Sequence, residues 1–391
     1  MGLLHDRKST IFPKILITLE PGLSLFRMLK GWMRAPVNFL VLAVVLLALA
    51  LTTGLCVSAQ IPAAASPRVQ LTLDASEAEQ ALVILHKEQS HQMVTDADWQ
   101  KLFATVPYQW LQMREAGLHR EFTDEDFKKF LQAPETEART AEWTETLAGM
   151  ERANMTGIGE RILAWLPEGA EIHTRVFPMI KPKTNSFVWR NPQGDPAIFI
   201  YMEKQTQAQF ETTVAHECHH IGLFSLDAEQ KEIFAAAPEN VRQAAEWMGA
   251  FGEGEAVLAA AGSTDRRPHW EDDALARARW DSDMMHFNQD LATLTQFFDD
   301  VLDGKLKGDA IQEKASTFFG YQGPWYTVGY EMAALVEKRF GRKVFTDCLL
   351  DPRLLLVRYN EVATEANQNG AALALWPESL LERMKAAHAS N

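Results

Sequence analysis

An α+β, predominantly helical fold with a small mixed β-sheet is predicted by three features of this 391-residue sequence. Helix-start signals followed by apolar residues at three- and four-residue spacing recur through most of the chain. Three short β-branched or aromatic runs, 172–180, 186–190 and 197–202, sit together between helical stretches, separated by Pro, Gly and Asn. Shortly after the last of them comes Glu211-Thr-Thr-Val-Ala-His-Glu-Cys-His-His-Ile-Gly222, which reads as a helix carrying His216-Glu217-Cys218-His219-His220, a complete H-E-x-x-H. The sheet is therefore expected beside the motif helix, with helical parts before and after.

Residues 39–57 form an almost unbroken apolar run preceded by Lys30 and Arg34 and followed by Ser58-Ala59, a small-residue cleavage pattern. This reads as an export signal cleaved after Ala59, or, if retained, as a single-span anchor, since the run is about long enough to cross a bilayer. The stretch before it is long for a signal, which points to Met28 or Met33 as alternative starts. The expected location is thus periplasmic or extracellular. Removing 1–59 takes away six basic and two acidic residues, so the formal charge of the full chain, −14, becomes −18. Such a surface repels nucleic acid and anionic lipid. Only Cys218 and Cys348 then remain, too few for a disulfide scaffold, and Cys218 is expected to pack as a small apolar residue.

Residues 60–70 read as a linker, 71–170 as a helical N-terminal region and 171–391 as the catalytic region. Ser76-x-x-Glu79, Thr95-x-x-Asp98 and Thr123-x-x-Asp126 predict three helix starts. Arg114 and Glu115, near Tyr108 and Trp110, can form a buried pair or a substrate contact, and surface charges are the more ordinary reading. One long helix is expected over 140–165, weakened by Gly157 and Gly159. The run 197–202 offers an edge to which an extended peptide could add by main-chain hydrogen bonds. A helix over 239–261 contains Gly252-Glu253-Gly254-Glu255-Ala256, and two glycines there point to close packing on a neighbour. Residues 262–283 read as a polar loop beside the site and 284–302 as a helix. Another helix starts at Gly323-Pro324-Trp325 and stops at Gly341.

Residues four apart on a helix project from nearly the same side, so His216 and His220 can share one metal ion. Glu217, one step round, can reach a water at that metal without being a ligand. Phe210, Val214, Cys218 and Ile221 give the opposite face an apolar stripe. A catalytic zinc needs a third protein ligand. The three-histidine pattern would require Gly at 223 and His at 226, and both positions are Leu. Glu253 is the best remaining candidate, with Glu255 and Asp227 as competitors. His219 reads as a packed or supporting histidine, and His269 and His286 as structural. Two other uses of such residues exist. Iron enzymes with two histidines and a carboxylate usually take their ligands from barrel strands. A secreted protein with a structural metal has no use for Glu217.

His-Glu-Cys-His-His with a downstream Glu resembles the gluzincin metallopeptidases, the group of thermolysin and the zinc aminopeptidases. Together with Gly252-Glu253-Gly254-Glu255-Ala256 and Trp325-Tyr-Thr-Val-Gly-Tyr-Glu-Met332, the motif looks more closely like a little-characterised family described as putative zinc-dependent peptidases. The resemblance implies a gluzincin-like core and one Zn2+ ion held by His216, His220 and Glu253. It implies Glu217 as the general base and acid, and Tyr326, before Tyr330, as donor to the developing oxyanion. A peptide or protein substrate follows. Substrate specificity, and exo- against endopeptidase action, are not written in these motifs.

Overall fold

The computed structural model describes residues 67–320 and 322–385. The expected signal at 39–57, its cleavage after Ala59, the alternative starts and most of the linker lie outside those residues. No helix among the described residues is long and apolar enough to cross a membrane. From Arg68 onward the chain belongs to one compact unit.

Val69-Gln-Leu-Thr-Leu73 alternates apolar and polar residues and forms strand β1 (Val69–Leu73), so the linker ends earlier than the sequence suggested. Seven helices follow: α1 (Ser76–Gln89), α2 (Asp96–Phe103), α3 (Val106–Gly117), α4 (Asp124–Leu131), α5 (Pro134–Glu137), α6 (Thr140–Glu151) and α7 (Met155–Leu163). Thr95 and Asp98 form the expected capping box, and Thr123 accepts from the Asp126 backbone N–H. Ser76 does not cap α1. Asp74 does that work instead, its Oδ1 accepting from both the backbone and the hydroxyl of Ser76. The long helix expected over 140–165 is two, because Asn154 accepts from the Gly157 N–H and starts α7 afresh.

The strand-like runs form β2 (Ile172–Met179), β3 (Phe187–Arg190) and β4 (Pro196–Tyr201). The sheet order is β1-β2-β4-β3, with β1, β2 and β4 parallel and β3 antiparallel to β4. β4 is therefore an inner strand and cannot be the free edge expected at 197–202; β3 holds that edge. Alternation along the strands separates two apolar layers. Ile172, Val176, Ile198 and Ile200 face the main core, whereas Phe177, Met179, Ala197 and Phe199 face Trp110 and Leu111 of α3. Arg114 and Glu115, read as surface charges, form a buried pair at 2.5 Å with the guanidinium over the Phe187 ring.

The chain then runs through α8 (Gln207–Phe224), α9 (Asp227–Phe234), α10 (Glu239–Met248), a 3-10 turn (Gly249–Phe251), α11 (Gly252–Ala261), α12 (Ala274–Met284), α13 (Phe287–Leu302) and α14 (Asp309–Ser316). The segment 262–283 is thus half helix rather than all loop, since Asp273 caps α12 by accepting from the Ala276 N–H. α15 (Pro324–Phe340), α16 (Arg342–Leu350), α17 (Pro352–Gln368) and α18 (Glu378–Lys385) complete the fold. Pro324 opens α15 and Gly341, at φ 85°, ends it, as expected. The fold is α+β and mostly helical. Cys218 and Cys348 are both free and buried.

Glu77, in the first turn of α1, is fully buried; its Oε2 accepts from the Ile180 N–H at 3.0 Å and Oε1 has no partner. Burial pushes its carboxyl up to about 8, against the backbone hydrogen bond and the charge of Lys181. The folded value lies above the unfolded one near 4.5. The stability Glu77 contributes is therefore fully present below about 4.5 and is lost as pH rises through 8. Glu77→Gln is expected to leave stability at pH 5 nearly unchanged and to raise it at pH 9 by on the order of 2–4 kcal/mol. Urea unfolding at the two pH values reads this difference, and an equal effect at both would contradict it.

Candidate metal centre

α8 starts at Thr206, which forms a capping box with Gln209 and fixes the helix in register behind the sheet. It packs on β2 and β4, and Phe210, Val214, Cys218 and Ile221 along it are all buried. The opposite side of α8 is left to His216 and His220, whose Nε2 atoms are 3.1 Å apart.

α11 packs against both α8 and α15. Gly254 and Gly329 allow the closest part of this arrangement. A Cβ on Gly254 would lie 2.0 Å from the Tyr330 backbone N and 2.4 Å from the Tyr326 carbonyl oxygen; one on Gly329 would lie 2.4 Å from the Phe251 carbonyl oxygen. α11 and α15 thus touch backbone to backbone, a separation that any side chain at these positions would prevent. The consequence is the position of Glu253. Its Oε2 lies 3.3 Å from His216 Nε2 and 3.6 Å from His220 Nε2.

One donor atom from each of His216, His220 and Glu253 therefore falls within 4.8 Å of the others, and all three residues are buried. Glu253 Oε2 has no hydrogen-bond partner. A buried carboxylate oxygen that makes no hydrogen bond yet lies within ion-pair distance of two imidazole nitrogens matches the donor set of a zinc ion. Burial pushes the Glu253 carboxyl up, but the charge and close polar contact of His220 and His216 outweigh it and hold the group well below the usual carboxylate range.

Glu217 is fully buried beside the cluster, with both oxygens unpartnered. Burial pushes its carboxyl up to about 7, opposed by the charge of His216 and reinforced by that of Glu253. Tyr326, in the first turn of α15, feels the same groups. Its phenol is pushed well above the ordinary value by burial, then by the charge and hydrogen-bonding contact of Glu253 and by Glu217. Tyr330 is elsewhere, packed edge-on against Trp280 at 5.1 Å, with Glu331 as the acid acting on its phenol.

The competing acids, Glu255 and Asp227, do not join the three donor atoms of the cluster. Glu255 is pushed up to about 8 by burial alone and acts on the Cys348 thiol, while Asp227 begins α9 and feels Lys231 and Arg190. His219 is fully buried with neither ring nitrogen bonded, and burial, then the neighbouring histidines, hold it well below the usual histidine value. His269 Nδ1 contacts Asp272 at 2.9 Å and its Nε2 contacts Gln322 at 3.0 Å. His286 is exposed at the start of α13.

All three motif segments fall inside residues 99–368, which match the model of a protein family described as "Putative zinc dependent peptidase (DUF5700)". The chain belongs to this family. The family's description suggests zinc-dependent peptidase chemistry for the family as a whole, and the DUF5700 match spans α8, α11 and α15 together. No curated protein and no solved structure matches the chain.

Two members of the surroundings carry no motif. Phe224 stacks on the His220 ring with centroids 6.5 Å apart, and the Arg190 guanidinium lies 5.3 Å from the Phe224 centroid. Phe224 was findable, since it continues the row of His216 and His220 at four-residue spacing. Arg190 was not, because only strand pairing brings it there.

Proposed function

We propose that this DUF5700 protein is an exported zinc-dependent peptide hydrolase, with one Zn2+ ion held by His216, His220 and Glu253. The observation that carries the reading is the convergence of these three buried donors beside a buried, partner-free Glu217. Zinc bound there would supply a Lewis acid that acidifies water and polarises a carbonyl.

The chain's own groups do the rest. Glu217, at about 7, can take a proton from the attacking water and return it to the leaving amine, because its affinity for protons lies close to neutrality. Tyr326, kept protonated by its acidic neighbours, can donate a hydrogen bond to the carbonyl oxygen as negative charge develops on it. The outer main-chain groups of β3 offer an extended peptide a strand to pair with. Helix-borne ligands favour zinc over the iron enzymes whose ligands come from barrel strands. The partner is a peptide or protein, nucleic acid is not, and a membrane enters only through the segment 39–57.

Digestion of a peptide library with and without chelator, read by mass spectrometry, tests this. Chelator-sensitive cleavage is expected, and its position along the peptides separates exo- from endopeptidase action. A library untouched by the zinc-loaded protein contradicts the proposal. Tyr326→Phe is expected to lower kcat by roughly 100-fold with KM little changed, because the lost donor acts mainly in the transition state. An unaltered kcat would remove Tyr326 from the reaction.

A further inference from the structure

We infer that Arg190 gives the enzyme a preference for peptides carrying a carboxylate within about one to three residues of the bond that is cut, a role that presupposes the peptidase reading above. Along β3, Phe187 and Trp189 join the aromatic layer under α3, whereas Val188 packs on the main core. Strand alternation places Arg190 on the side of Val188, the side of the sheet on which α8 lies. There it meets the end of the row His216, His220 and Phe224.

The guanidinium rests 5.3 Å from the Phe224 centroid, and Phe224 stacks on the His220 ring at 6.5 Å, so the distance from cation to candidate metal ligand cannot exceed the sum of these two. An extended peptide advances roughly 3.3–3.6 Å per residue. A group held by Arg190 is then one to three residues from a carbonyl at the metal centre.

Four further observations make Arg190 available for a ligand. It is exposed, and its guanidinium makes no hydrogen bond or ion pair among the described residues. Its backbone is fixed by pairing with Pro196 and by the turn that follows, where Asn191 Oδ1 accepts from the N–H groups of Gln193 and Asp195. Asp195, the nearest acid in sequence, is engaged by the Asn191 side-chain amide instead. Asp227 feels Arg190 but is not ion-paired with it, and burial raises its carboxyl.

An aromatic ring on one face shields the cation from water and leaves its planar edge to form two parallel bonds with a carboxylate. In a chain of formal charge −14, a fixed and unpaired arginine is a local exception to the acidic surface. The carboxylate can belong to an Asp or Glu side chain or to the free C-terminus of the peptide, and a guanidinium binds either in the same way.

The test uses peptide pairs differing only in Glu against Gln at each of three positions on either side of the cleaved bond. A second set differs in a free against an amidated C-terminus. For zinc-loaded wild type, kcat/KM is expected to favour the carboxylate by roughly ten-fold at one position. Arg190→Ala should bring that ratio near one while leaving the uncharged peptide within about three-fold of wild type, and Arg190→Lys should keep part of the preference. The position and the set that respond distinguish a side chain from a C-terminus.

Binding constants for the same pairs, measured on Glu217→Gln with and without Arg190→Ala, read the charge preference whether or not any peptide is cut. Equal kcat/KM and equal Kd within every pair, or a preference that survives Arg190→Ala, would overturn the role of Arg190. Absence of cleavage alone would instead count against the peptidase reading.

Discussion

Glu217→Gln is expected to retain zinc at the wild-type level and to lose roughly 10²–10⁴-fold in kcat, the usual contribution of a positioned general base. The substitution keeps the shape of a side chain whose two oxygens bond to nothing among the described residues, so no packing or hydrogen bond is lost with it. It also removes a buried group whose carboxyl is raised to about 7. In the metal-free chain the folded value lies above the unfolded one, so the stability Glu217 lends there is lost as pH rises through 7. The metal-free neutral variant should therefore unfold no more easily than metal-free wild type at pH 8. Thermal unfolding, metal content and kcat measured on one preparation separate these effects. A variant that loses zinc would make Glu217 a ligand, and one that keeps full activity would remove it from the chemistry.

The second large effect is expected at Glu253. Glu253→Ala takes away the carboxylate that, among the described residues, shares a cluster with the two imidazoles, and zinc affinity should fall by at least about 100-fold, the upper range for loss of even a supporting contact to a ligand. Glu255→Ala, two residues along the same helix, should leave zinc affinity near wild type, because its carboxylate is not part of the cluster. Competition with a chelator of known affinity reads both. Equal zinc binding by wild type and Glu253→Ala, or a loss confined to Glu255→Ala, would place the third ligand elsewhere.

The contrast between Glu253 and Glu255 shows how far the sequence reached. Helical geometry alone made His216 and His220 a pair, since four-residue spacing is a local property of one helix. The candidate for the third ligand lies on another helix, and the sequence leaves three acids in competition for it. Of these, Glu253 joins His216 and His220 in one buried cluster, beside the backbone contact at Gly254 and Gly329 that the paired glycines signal but cannot orient.

The same limit explains the misread sheet edge. The run 197–202 has the composition of a strand, but whether a strand is inner or outer depends on partners far away, and here β2 and β3 enclose β4. β1 is legible in its alternation, but it adjoins the linker, and five residues beside a Pro/Ala/Ser stretch carry little signal of their own. Arg114 and Glu115 looked like surface charges because local sequence does not report the layer formed by α3 on the sheet. Tyr326 and Tyr330 share one helix face at four-residue spacing, yet only Tyr326 meets Glu253 and Glu217, because Tyr330 continues past the crossing toward Trp280.

Titration of zinc into the metal-stripped protein, with bound zinc and peptide hydrolysis recorded in the same samples, tests the central claim most directly. Hydrolysis is expected to rise with bound zinc and to level off at one ion per chain, and to stay absent in His216→Ala at any zinc concentration. Full hydrolysis by the metal-free chain, or one bound zinc per chain with no hydrolysis of any peptide, would contradict it.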